Sequence, residues 1–557
     1  MRAISGVGVG VGLALGPLVV VAEPPRPPVD EPPCADVAVG AASVREALEA
    51  VASELDAMAG LGPDATRAIL EAEAMVARDP GLASGVAEEL ERGSGPATAV
   101  FAAVERFAVM FRSLGGHLAD RVADLTDVRD RAVAKILDLP APGVPKLDEP
   151  SVLAAVDLAP SDAAALDPRL CLALVTEGGG PTSHTAILAA QLGIPTLVQA
   201  VGITAVAPGT TVAVDCAAGQ VVVDPDEAER SRCAERARRR VGALSASTAP
   251  GATSDGYQVP LLANVGTLED ARSAAAQPVE GVGLLRTEFL FSDRDEPPAF
   301  DEQVAAYTEV LLAFAGRPVT ARTLDAGADK PLAFSDLGPE PNPALGRRGL
   351  RFSMARPDIL DTQLAALEAA RQATRADLRI MAPMVATQAE TQWFVERCRR
   401  AGLPKAGVMI EVPAAAIRSR GVFYHADFAS LGTNDLSQYT LAADRGQGAL
   451  AALLSPWEPA LLDIVALACH GGQEMGKPVG VCGEAAGDPA MALVLVGLGA
   501  RSLSMAAARV PAVRTALSRH SRSRCQQLAA AARAAITPDD ARQAVLAQVD
   551  PVVLDLL

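Results

Sequence analysis

The stretch AGVMIEVPAAAIRSRGVFYHADFASLGTND, residues 406–435, contains the unit from which we predict the fold. Two apolar runs in it are separated by enough residues for a helix, as is typical of two parallel strands joined by a helix. From about residue 251 onward eight such runs follow one another, which is typical of a closed (β/α)8 barrel of the TIM type. The eight predicted strands lie near 259–265, 281–286, 318–324, 379–385, 406–411, 428–433, 478–482 and 502–506.

Polar side chains stand where these predicted strands end. The carboxyl ends of barrel strands meet on one face, and that face carries the active site. Each residue alone could be a structural ion pair at the rim. A converging set is harder to explain in that way, because unpaired charge is costly to bury. The set comprises Arg286 to Glu288, Arg322 to Asp325, Glu411, Asn434, Asp435 and Cys482 to Glu484.

The chemistry of this set indicates an anionic substrate. Arg286 and Arg322 could each bind a phosphate through two hydrogen bonds, and Arg445 could reach a carboxylate or phosphate. Glu411 and Asp435 offer hard oxygen ligands of the kind that Mg²⁺ prefers. Arginines and a divalent ion around one anion are the groups that catalyse phosphoryl transfer. We therefore predict a phosphoryl-transfer site at the carboxyl ends of the strands.

A second candidate site lies far away in the sequence. Residues 172–176 are predicted to form a strand, residues 178–180 are glycines, and a helix is predicted from Thr185 to about Leu192. His184 would then lie at a helix N-terminus, where free N–H groups bind phosphate and a neutral, nucleophilic imidazole is favoured. The alternative is a histidine that makes only a structural hydrogen bond at the start of the helix, but the glycine-rich context favours the functional interpretation.

The rest of the chain divides by composition. Residues 23–33 are rich in proline and predict a linker, and 41–140 show helical periodicity that predicts a helical bundle. The bundle window holds 17 acidic and 10 basic residues, which is typical of a solvated surface or of an acidic docking face for a basic partner. Residues 150–225 have an α/β pattern. Arginines interspersed with acids over 226–242 predict an exposed linker helix.

Composition excludes several classes of protein. The 557 residues carry a net charge of -18, which argues against a general nucleic-acid binder. The eight cysteines form no CxxC pair, so neither a disulfide framework nor a zinc site is predicted. The apolar N-terminus, up to Ala22, superficially resembles a signal peptide. Its alternating glycines instead favour a strand, a turn at Leu15-Gly16-Pro17 and a second strand from Leu18 to Ala22.

Seven motifs together resemble the Enzyme I family, the phosphoenolpyruvate–protein phosphotransferases of the bacterial sugar phosphotransferase system. The resemblance covers nearly the whole chain, although several of the motifs are shared with the wider group of phosphoenolpyruvate-utilising enzymes. The motifs are TEGGGPTSHTAILAAQLGIPTLV, GVGLLRTEFLF, RTLDAGADK, NPALGRRGLR, GVMIEVPAAA, SLGTNDLSQYTLAADRG and VGVCGEAAGD.

The resemblance implies a role for each matching residue. His184 matches the histidine that accepts the phosphoryl group, and Cys482 matches the acid that protonates the enolate carbon to give pyruvate. Glu411 and Asp435 match the Mg²⁺ ligands, and Arg348 matches a further arginine on the substrate side. The positions that match substrate-binding residues are Arg286, Arg322, Asn434, Asp435 and Arg445.

The resemblance also implies a domain organisation, partners and a location. The partners are the small carrier HPr and a second copy of the chain, which dimerises through the barrel; no nucleic acid and no membrane are expected. A cytoplasmic enzyme is implied, with the N-terminal apolar stretch a structural part of the fold. The implied domains are a swivelling phosphohistidine domain (1–25 and 141–225), an inserted helical HPr-binding domain (30–140), a linker helix (226–250) and the barrel (251–557).

Two positions depart from the family pattern. Ala163 stands where the family usually has a threonine, and Ala190 where it usually has an arginine. Losing a hydroxyl and a guanidinium near the phosphohistidine removes a hydrogen-bond partner and a charge partner. A regulatory relative that binds phosphoenolpyruvate and HPr but turns over poorly is therefore the second hypothesis. The third is a dikinase or phosphoenolpyruvate synthase, which would need a nucleotide-binding domain, and residues 30–140 carry no P-loop signature.

Overall fold

The computed structural model divides the chain into two compact units, Met1–Ala237 and Arg238–Leu557. Each unit is described by itself. The structure describes residues 2–557 apart from 10–11, 22–23, 60–63, 115–121, 140–141, 146, 159–161, 164–165, 181–184, 187–188, 190–191, 217, 246–247, 293, 328–331, 336–337, 339 and 446.

The first unit contains a mixed eight-stranded sheet. Its order is β1-β8-β7-β3-β4-β5-β6-β2, so the N-terminal strands are distributed among strands from residue 151 onward. Apolar side chains of β3, β4, β5 and β7 form its core. The strands are β1 (Arg2–Ser5), β2 (Val7–Val9), β3 (Leu13–Val20), β4 (Ser151–Ala155), β5 (Cys171–Thr176), β6 (Thr196–Val198), β7 (Thr211–Asp215) and β8 (Gln220–Val223).

Strand β3 corrects one prediction. The N-terminal stretch does form strands, but the turn predicted at residues 15–17 is wrong, because β3 runs straight through it. Residues 13–17 pair antiparallel with β7, and residues 18–20 pair parallel with β4. Pro17 lies where the strand changes partner, so its missing N–H is tolerated. At Gly16 a Cβ would come 2.7 Å from Leu172 Cδ1, so glycine here permits close packing rather than a turn.

Amphipathic helices occupy the segment between β3 and β4. Along α1 the buried residues include Val44, Leu48, Val51 and Leu55, the spacing that places side chains on one face of a helix. These side chains join a core formed with the other helices. The helices are α1 (Val37–Ala59), α2 (Asp64–Ala77), α3 (Pro80–Glu91), α4 (Pro96–Leu114) and α5 (Val122–Ile136), and α6 (Glu227–Ser245) follows β8.

The proline-rich segment before α1 is attached to this bundle. Glu31 accepts hydrogen bonds from the backbone N–H groups of Ala97 and Thr98, at 2.9 and 2.7 Å, and so caps the N-terminus of α4. A carboxylate at that position also interacts favourably with the helix dipole. The segment that composition predicts to be a linker is therefore partly structural.

The second unit is a closed parallel barrel, as the sequence predicts. All eight apolar runs become strands; four of them are buried at every position and the other four at all but one, because helices cover the outside of the barrel. Each predicted run differs from its strand only by one to three residues at the ends. The strands are β9 (Leu261–Val265), β10 (Val282–Leu285), β11 (Val319–Arg322), β12 (Leu378–Ala382), β13 (Ala406–Ile410), β14 (Ala429–Leu431), β15 (Val479–Val481) and β16 (Ser502–Met505).

Helices surround the barrel and follow its last strand. Between the strands lie α7 (Leu268–Ala275), α8 (Phe300–Ala313), α9 (Leu350–Ala355), α10 (Pro357–Thr374), α11 (Gln388–Arg400), α12 (Pro413–Ile417), α13 (Ser419–Phe423), α14 (Thr433–Leu441), α15 (Pro459–Glu474) and α16 (Pro489–Leu498). After β16 come α17 (Val510–Arg519), α18 (Arg522–Arg533), α19 (Pro538–Leu546) and α20 (Pro551–Leu556).

One described segment, Ala452–Glu474, is long and apolar enough to cross a membrane by length and composition. It includes α15, which buries Leu461, Leu462 and Val465 inside the second unit. About a third of the apolar window in this segment is buried inside the second unit.

Candidate active site

A cleft of about 390 Å³ opens at the carboxyl ends of the barrel strands. The loops after the strands bring together residues that are up to about 200 positions apart in the chain. Arg348 does not line the cleft, and neither do Thr287, Thr323, Leu324 and Asp325 of the predicted strand-end set; the other residues predicted for the barrel site do. The lining residues are Leu284, Arg286, Glu288, Arg322, Met409, Glu411, Gly432, Asn434, Asp435, Arg445, Cys482, Gly483 and Glu484.

Arg322 lies at the base of the cleft, at the end of β11. One guanidinium nitrogen donates to Glu288 Oε1 at 2.9 Å, and the other lies 3.3 Å from Asp325 Oδ2. Burial by itself would lower the pKa of Arg322, but the two carboxylates outweigh it and the pKa is raised. The guanidinium is therefore a permanent, fixed positive charge facing the cleft.

Arg348 lies just behind this layer and is 1% exposed. It pairs with Asp325 through two contacts of 3.3 Å and with Asp435 Oδ1 at 3.0 Å. It also donates to the hydroxyl of Tyr439, at 3.4 Å. Arg348 thus connects two carboxylates and orients Asp435 toward the cleft.

Asp325 is fully buried and joins Arg322 to Arg348. The sequence places Asp325 at the end of a predicted strand but indicates no partner for it. Such a partnership comes from side chains that meet only in the folded barrel, so the RTLD motif was the only available signal for this residue.

Glu411 follows β13 and is also buried. Burial and the negative charges of Asp435 and Asp325 together raise its pKa to about 8, although Arg322 acts in the opposite direction. Its Oε2 accepts the backbone N–H of Met384 at 3.0 Å, and Met384 adopts a left-handed conformation with a φ of 57°. Such strain is characteristic of functional sites.

Asp435 stands in the first turn of α14, directly after β14. Its Oδ1 forms an ion pair with Arg348 Nη1 and accepts a hydrogen bond from Arg445 Nη2, each at 3.0 Å. Arg445 is held from its other side, since its backbone N–H donates to Gln438 Oε1 at 3.1 Å. Within the described part of the chain, Asp435 Oδ2 and Glu411 Oε1 have no hydrogen-bond donor, so both carboxylates keep an oxygen for a ligand.

The charged residues that line the cleft favour the binding of a cation together with an anionic ligand. Three arginines and four carboxylates line it, so an anionic ligand needs positive charge that the protein does not supply. Among the described residues no cluster of three or more His, Cys, Asp or Glu side chains could hold a metal by itself. Two carboxylates with free oxygens suit a divalent ion that completes its coordination with substrate and water. The residues therefore fit such an ion.

Arg286 lies at the end of β10 with its side chain exposed to the cleft. Its backbone N–H donates to Val265 O at 2.9 Å, which fixes the main chain. In the described residues its guanidinium pairs with no carboxylate. It is therefore ready to bind an anion without first breaking an ion pair.

Cys482 follows β15 and is 3% exposed. Burial raises its pKa to about 11, although a hydrogen bond with Ser430 acts in the opposite direction. The thiol lies 3.6 Å from Leu431 O, and the carbonyl of Cys482 accepts the side-chain amide of Asn264 at 3.0 Å. Cys482 is thus a thiol that keeps its proton at neutral pH on the wall of the cleft. Asn264 received no role from the sequence, because its partner is a main-chain atom 218 residues away.

His184 and Ala190 lie outside the described residues. The strand that precedes the glycines is β5, and Glu177 just after it accepts the N–H and hydroxyl of Thr204. Ala163 is fully buried in an apolar cluster with Leu158 and Leu174. The family usually has a threonine hydroxyl at this position. In this chain the methyl group of Ala163 packs against apolar neighbours instead.

Comparisons with known proteins agree along the whole chain. Family models for phosphoenolpyruvate-utilising enzymes match in three parts: the N-terminal part over residues 5–121, the mobile domain over 147–219 and the PEP-binding domain over 241–522. A phosphoenolpyruvate-protein phosphotransferase of Streptomyces coelicolor is 49% identical over 98% of both chains. The chain belongs to the phosphoenolpyruvate-protein phosphotransferases.

Other relatives extend the similarity. The phosphoenolpyruvate-protein phosphotransferase of Bacillus subtilis is 35% identical over 94% of this chain and 96% of its own length. A multiphosphoryl transfer protein of Xanthomonas campestris is 39% identical over 97% of this chain and 66% of its own. For a phosphoenolpyruvate-protein phosphotransferase the cleft is where expected, since all of its lining residues lie within the match to the PEP-binding domain.

Proposed function

We propose that the chain transfers the phosphoryl group of phosphoenolpyruvate to His184 and from there to a histidine of the carrier HPr, releasing pyruvate. This is the first step of the sugar phosphotransferase system. The observation that carries the proposal is the cleft, where cationic, carboxylate and thiol groups from different barrel strands face one small volume.

Phosphoenolpyruvate carries a phosphate and a carboxylate, and the cleft offers separate cations for them. Arg286 has no carboxylate partner in the described part of the chain, and Arg322 is fixed by Glu288. Arg445 also lines the cleft and is held by Asp435. We assign Arg286, Arg322 and Arg445 to the two anionic groups, with Asn434 donating its amide and Arg348 supporting from behind. Fixed donors suit a reaction in which positioning and charge neutralisation supply most of the catalysis.

Glu411 and Asp435 are assigned to Mg²⁺. Their free oxygens, and a pKa of Glu411 raised to about 8 by burial and by the nearby carboxylates of Asp435 and Asp325, support a divalent cation between them. When bound, Mg²⁺ would neutralise charge on the phosphate oxygens. Glu411 and Asp435 would hold the ion; the Glu411 carboxylate is fixed by the N–H of Met384, and the Asp435 carboxylate by Arg348 and Arg445.

Two residues carry the covalent chemistry. An imidazole nitrogen of His184 attacks phosphorus, so that the phosphorus–nitrogen bond forms while the bond to the enol oxygen breaks. The leaving enolate then takes a proton at carbon from the thiol of Cys482. Because burial keeps this thiol protonated at neutral pH, it can act as the acid. The thiolate left behind is stabilised by the positive charges of Arg322 and Arg286.

We propose the following division of labour along the chain. Residues 1–25 and 141–225 form the swivelling phosphohistidine domain, which is supported by the pairing of β1 to β3 with strands from 151–223. Residues 30–140 bind HPr, 226–250 are the linker helix that permits the swing, and 251–557 bind phosphoenolpyruvate. Unit 2 would also form the homodimer, supported by the exposed apolar side chains of Ile417, Tyr424 and Leu467 on neighbouring helices. We place the enzyme in the cytoplasm.

Exposed residues on α2 are candidates for the surface that binds HPr. The sequence suggests a mixed apolar and acidic group around residues 70–76, with simple bundle packing as the alternative. Leu70 and Glu73 are buried in the bundle, whereas Glu71 is exposed and Met75 is 68% exposed. Residues four apart lie on one face of a helix. We therefore propose Glu71 and Met75 as contacts for a basic, partly apolar carrier.

Labelled phosphoenolpyruvate tests the proposal. The pure protein is incubated with the labelled substrate and Mg²⁺, and HPr is then added. We expect an acid-labile label on the chain that moves to HPr, with one pyruvate released for each phosphoryl group transferred. A label that persists in His184→Ala, or no label at all, would contradict the proposal. If ATP or AMP changed the turnover, a nucleotide-dependent dikinase would be favoured instead.

The apolar environment of Ala163 supports a second candidate function, that of a regulatory relative with weak turnover. Such a protein would bind phosphoenolpyruvate and HPr with ordinary affinity but transfer the phosphoryl group slowly. Single-turnover rates of wild type and Ala163→Thr distinguish the two. A large gain in rate with the threonine favours the regulatory function.

A further inference from the structure

A buried network of neutral hydrogen bonds lies behind the cleft and connects the ends of two strands. Its centre is Gln363 on α10, which is 1% exposed. Gln363 Nε2 donates to Thr287 Oγ1 and to the Tyr307 hydroxyl, both at 3.0 Å, and its Oε1 accepts the backbone N–H of Leu324 at 3.1 Å. Since a backbone N–H can only donate, the orientation of the Gln363 amide is fixed.

Thr287 completes the connection. It is fully buried, lies between Arg286 and Glu288 just after β10, and donates its hydroxyl to the carbonyl of Arg322 at 3.0 Å. Its oxygen therefore joins the end of β10 to the end of β11, while Gln363 contacts both loops from outside. A fully satisfied buried network of this kind holds its members in one arrangement.

We infer that Thr287 and Gln363 are positioning residues that set the distance between the two anion-binding arginines, Arg286 and Arg322. The inference rests on the proposed function, since it assigns those arginines to phosphoenolpyruvate. Neither Thr287 nor Gln363 lines the cleft, so neither touches the substrate. Removing the Thr287 hydroxyl frees the carbonyl of Arg322 and leaves an N–H of Gln363 unpaired. The two arginines then no longer meet the anion at a fixed separation.

Tyr307 provides the matched control. It is fully buried and shares the same amide nitrogen of Gln363, and its hydroxyl donates to Gln303 Oε1 at 3.3 Å. Tyr307→Phe therefore also leaves a buried N–H of Gln363 unpaired, but it keeps the bond from Gln363 to Thr287 and that from Thr287 to Arg322. A general loss of packing affects both sides of the network, whereas positioning of the arginines depends only on the Thr287 side.

The test measures the affinity for phosphoenolpyruvate by titration calorimetry with Mg²⁺, in the full chain carrying His184→Ala so that the substrate is not consumed. Thr287→Val and Gln363→Leu should each weaken binding about tenfold, the usual scale for a lost buried hydrogen bond. Thr287→Ser, which keeps the hydroxyl, should bind within about twofold of the parent. Tyr307→Phe should do the same, even where its melting temperature falls as far as that of Thr287→Val.

Two outcomes would overturn the inference while leaving the proposed function intact. In the first, Thr287→Val binds like the parent. In the second, Tyr307→Phe loses as much affinity as Thr287→Val at an equal fall in melting temperature, which would mean a merely structural role. If the parental chain bound no phosphoenolpyruvate, the proposed function would fail and the inference with it. If Gln363→Leu does not fold, the Thr287 pair alone decides.

Discussion

Asp325 holds together the buried charges of the cleft. It lies between Arg322 and Arg348, and neither arginine could be buried there without a negative partner. Arg348 also pairs with Asp435, and Asp435 pairs with Arg445, so the positions of these side chains depend on one another. Four charged side chains therefore depend on one carboxylate that has no contact with solvent.

Replacing Asp325 by asparagine should consequently destabilise the second unit. Removal of one partner from a buried ion pair typically costs about 3–5 kcal/mol, and we expect the lower end, about 3 kcal/mol, because Arg322 keeps Glu288 and Arg348 keeps Asp435. Asp463→Asn is the control, since Asp463 pairs with Arg533 where both side chains are about half exposed, and exposed pairs contribute about 0–1 kcal/mol. Urea-induced unfolding of both variants checks this. Equal losses would contradict the structural role of Asp325.

The protonation state of Cys482 gives a pH prediction. A raised pKa favours the neutral thiol, so Cys482 should keep its proton until the pH approaches about 11. Only the thiolate is alkylated, and iodoacetamide should therefore modify Cys482 slowly at about pH 8 and faster as the pH rises toward 11. Peptide mass spectrometry measures this, with the partly exposed Cys34 as the control. Modification of Cys482 as fast as that of Cys34 at about pH 8 would contradict the assignment.

At the scale of elements, the sequence predicts the barrel well and the N-terminal sheet less well. Buried parallel strands are continuous apolar runs, so their number and order are visible in the sequence. The path of β3 is not visible, because Gly16-Pro17 is a common turn signal and only pairing with both β7 and β4 keeps the chain extended there. The contacts within the candidate site are likewise not predictable from the sequence alone. Strand ends indicate which residues converge, but which side chains pair, as Asp325 does, depends on distances in the folded barrel.

The loop after β15 is packed against the start of α14 without space for a side chain. A Cβ at Gly483 would lie 1.8 Å from Thr433 Oγ1. Gly483→Ala should therefore destabilise the second unit by about 1–3 kcal/mol, as overpacking does, and should weaken phosphoenolpyruvate binding because Cys482 and Asn434 flank the contact. Gly266→Ala is the control, since its nearest neighbour is at an ordinary 3.4 Å. Urea unfolding and titration calorimetry should separate the two variants, and a Gly483→Ala protein indistinguishable from Gly266→Ala would contradict the packing.

At the scale of the whole molecule, each step of the proposed reaction uses a different part of the chain. Unit 2 holds the cleft, the first unit holds His184, and the helices inserted between β3 and β4 offer the proposed carrier surface. Covalent transfer through a histidine allows such separation, because each half-reaction has its own site.

The carrier surface can be tested by truncation of one exposed side chain. Met75→Ala should lower the catalytic efficiency with HPr about tenfold, since apolar anchors at an interface contribute strongly. Val39→Ala is the control, because Val39 is 66% exposed on α1 and has no assigned role. Steady-state rates at varied HPr concentration give the comparison. Equal efficiencies for the two variants would show that Met75 does not contact the carrier.

We propose that phosphorus passes from phosphoenolpyruvate to one imidazole of this chain. Mass spectrometry of the protein, digested under non-acidic conditions after reaction with phosphoenolpyruvate and Mg²⁺, tests it most directly. We expect a single phosphorylated peptide with the phosphoryl group on His184, and none in His184→Ala. Phosphate on any other residue, or an unmodified chain after pyruvate has been released, would contradict it.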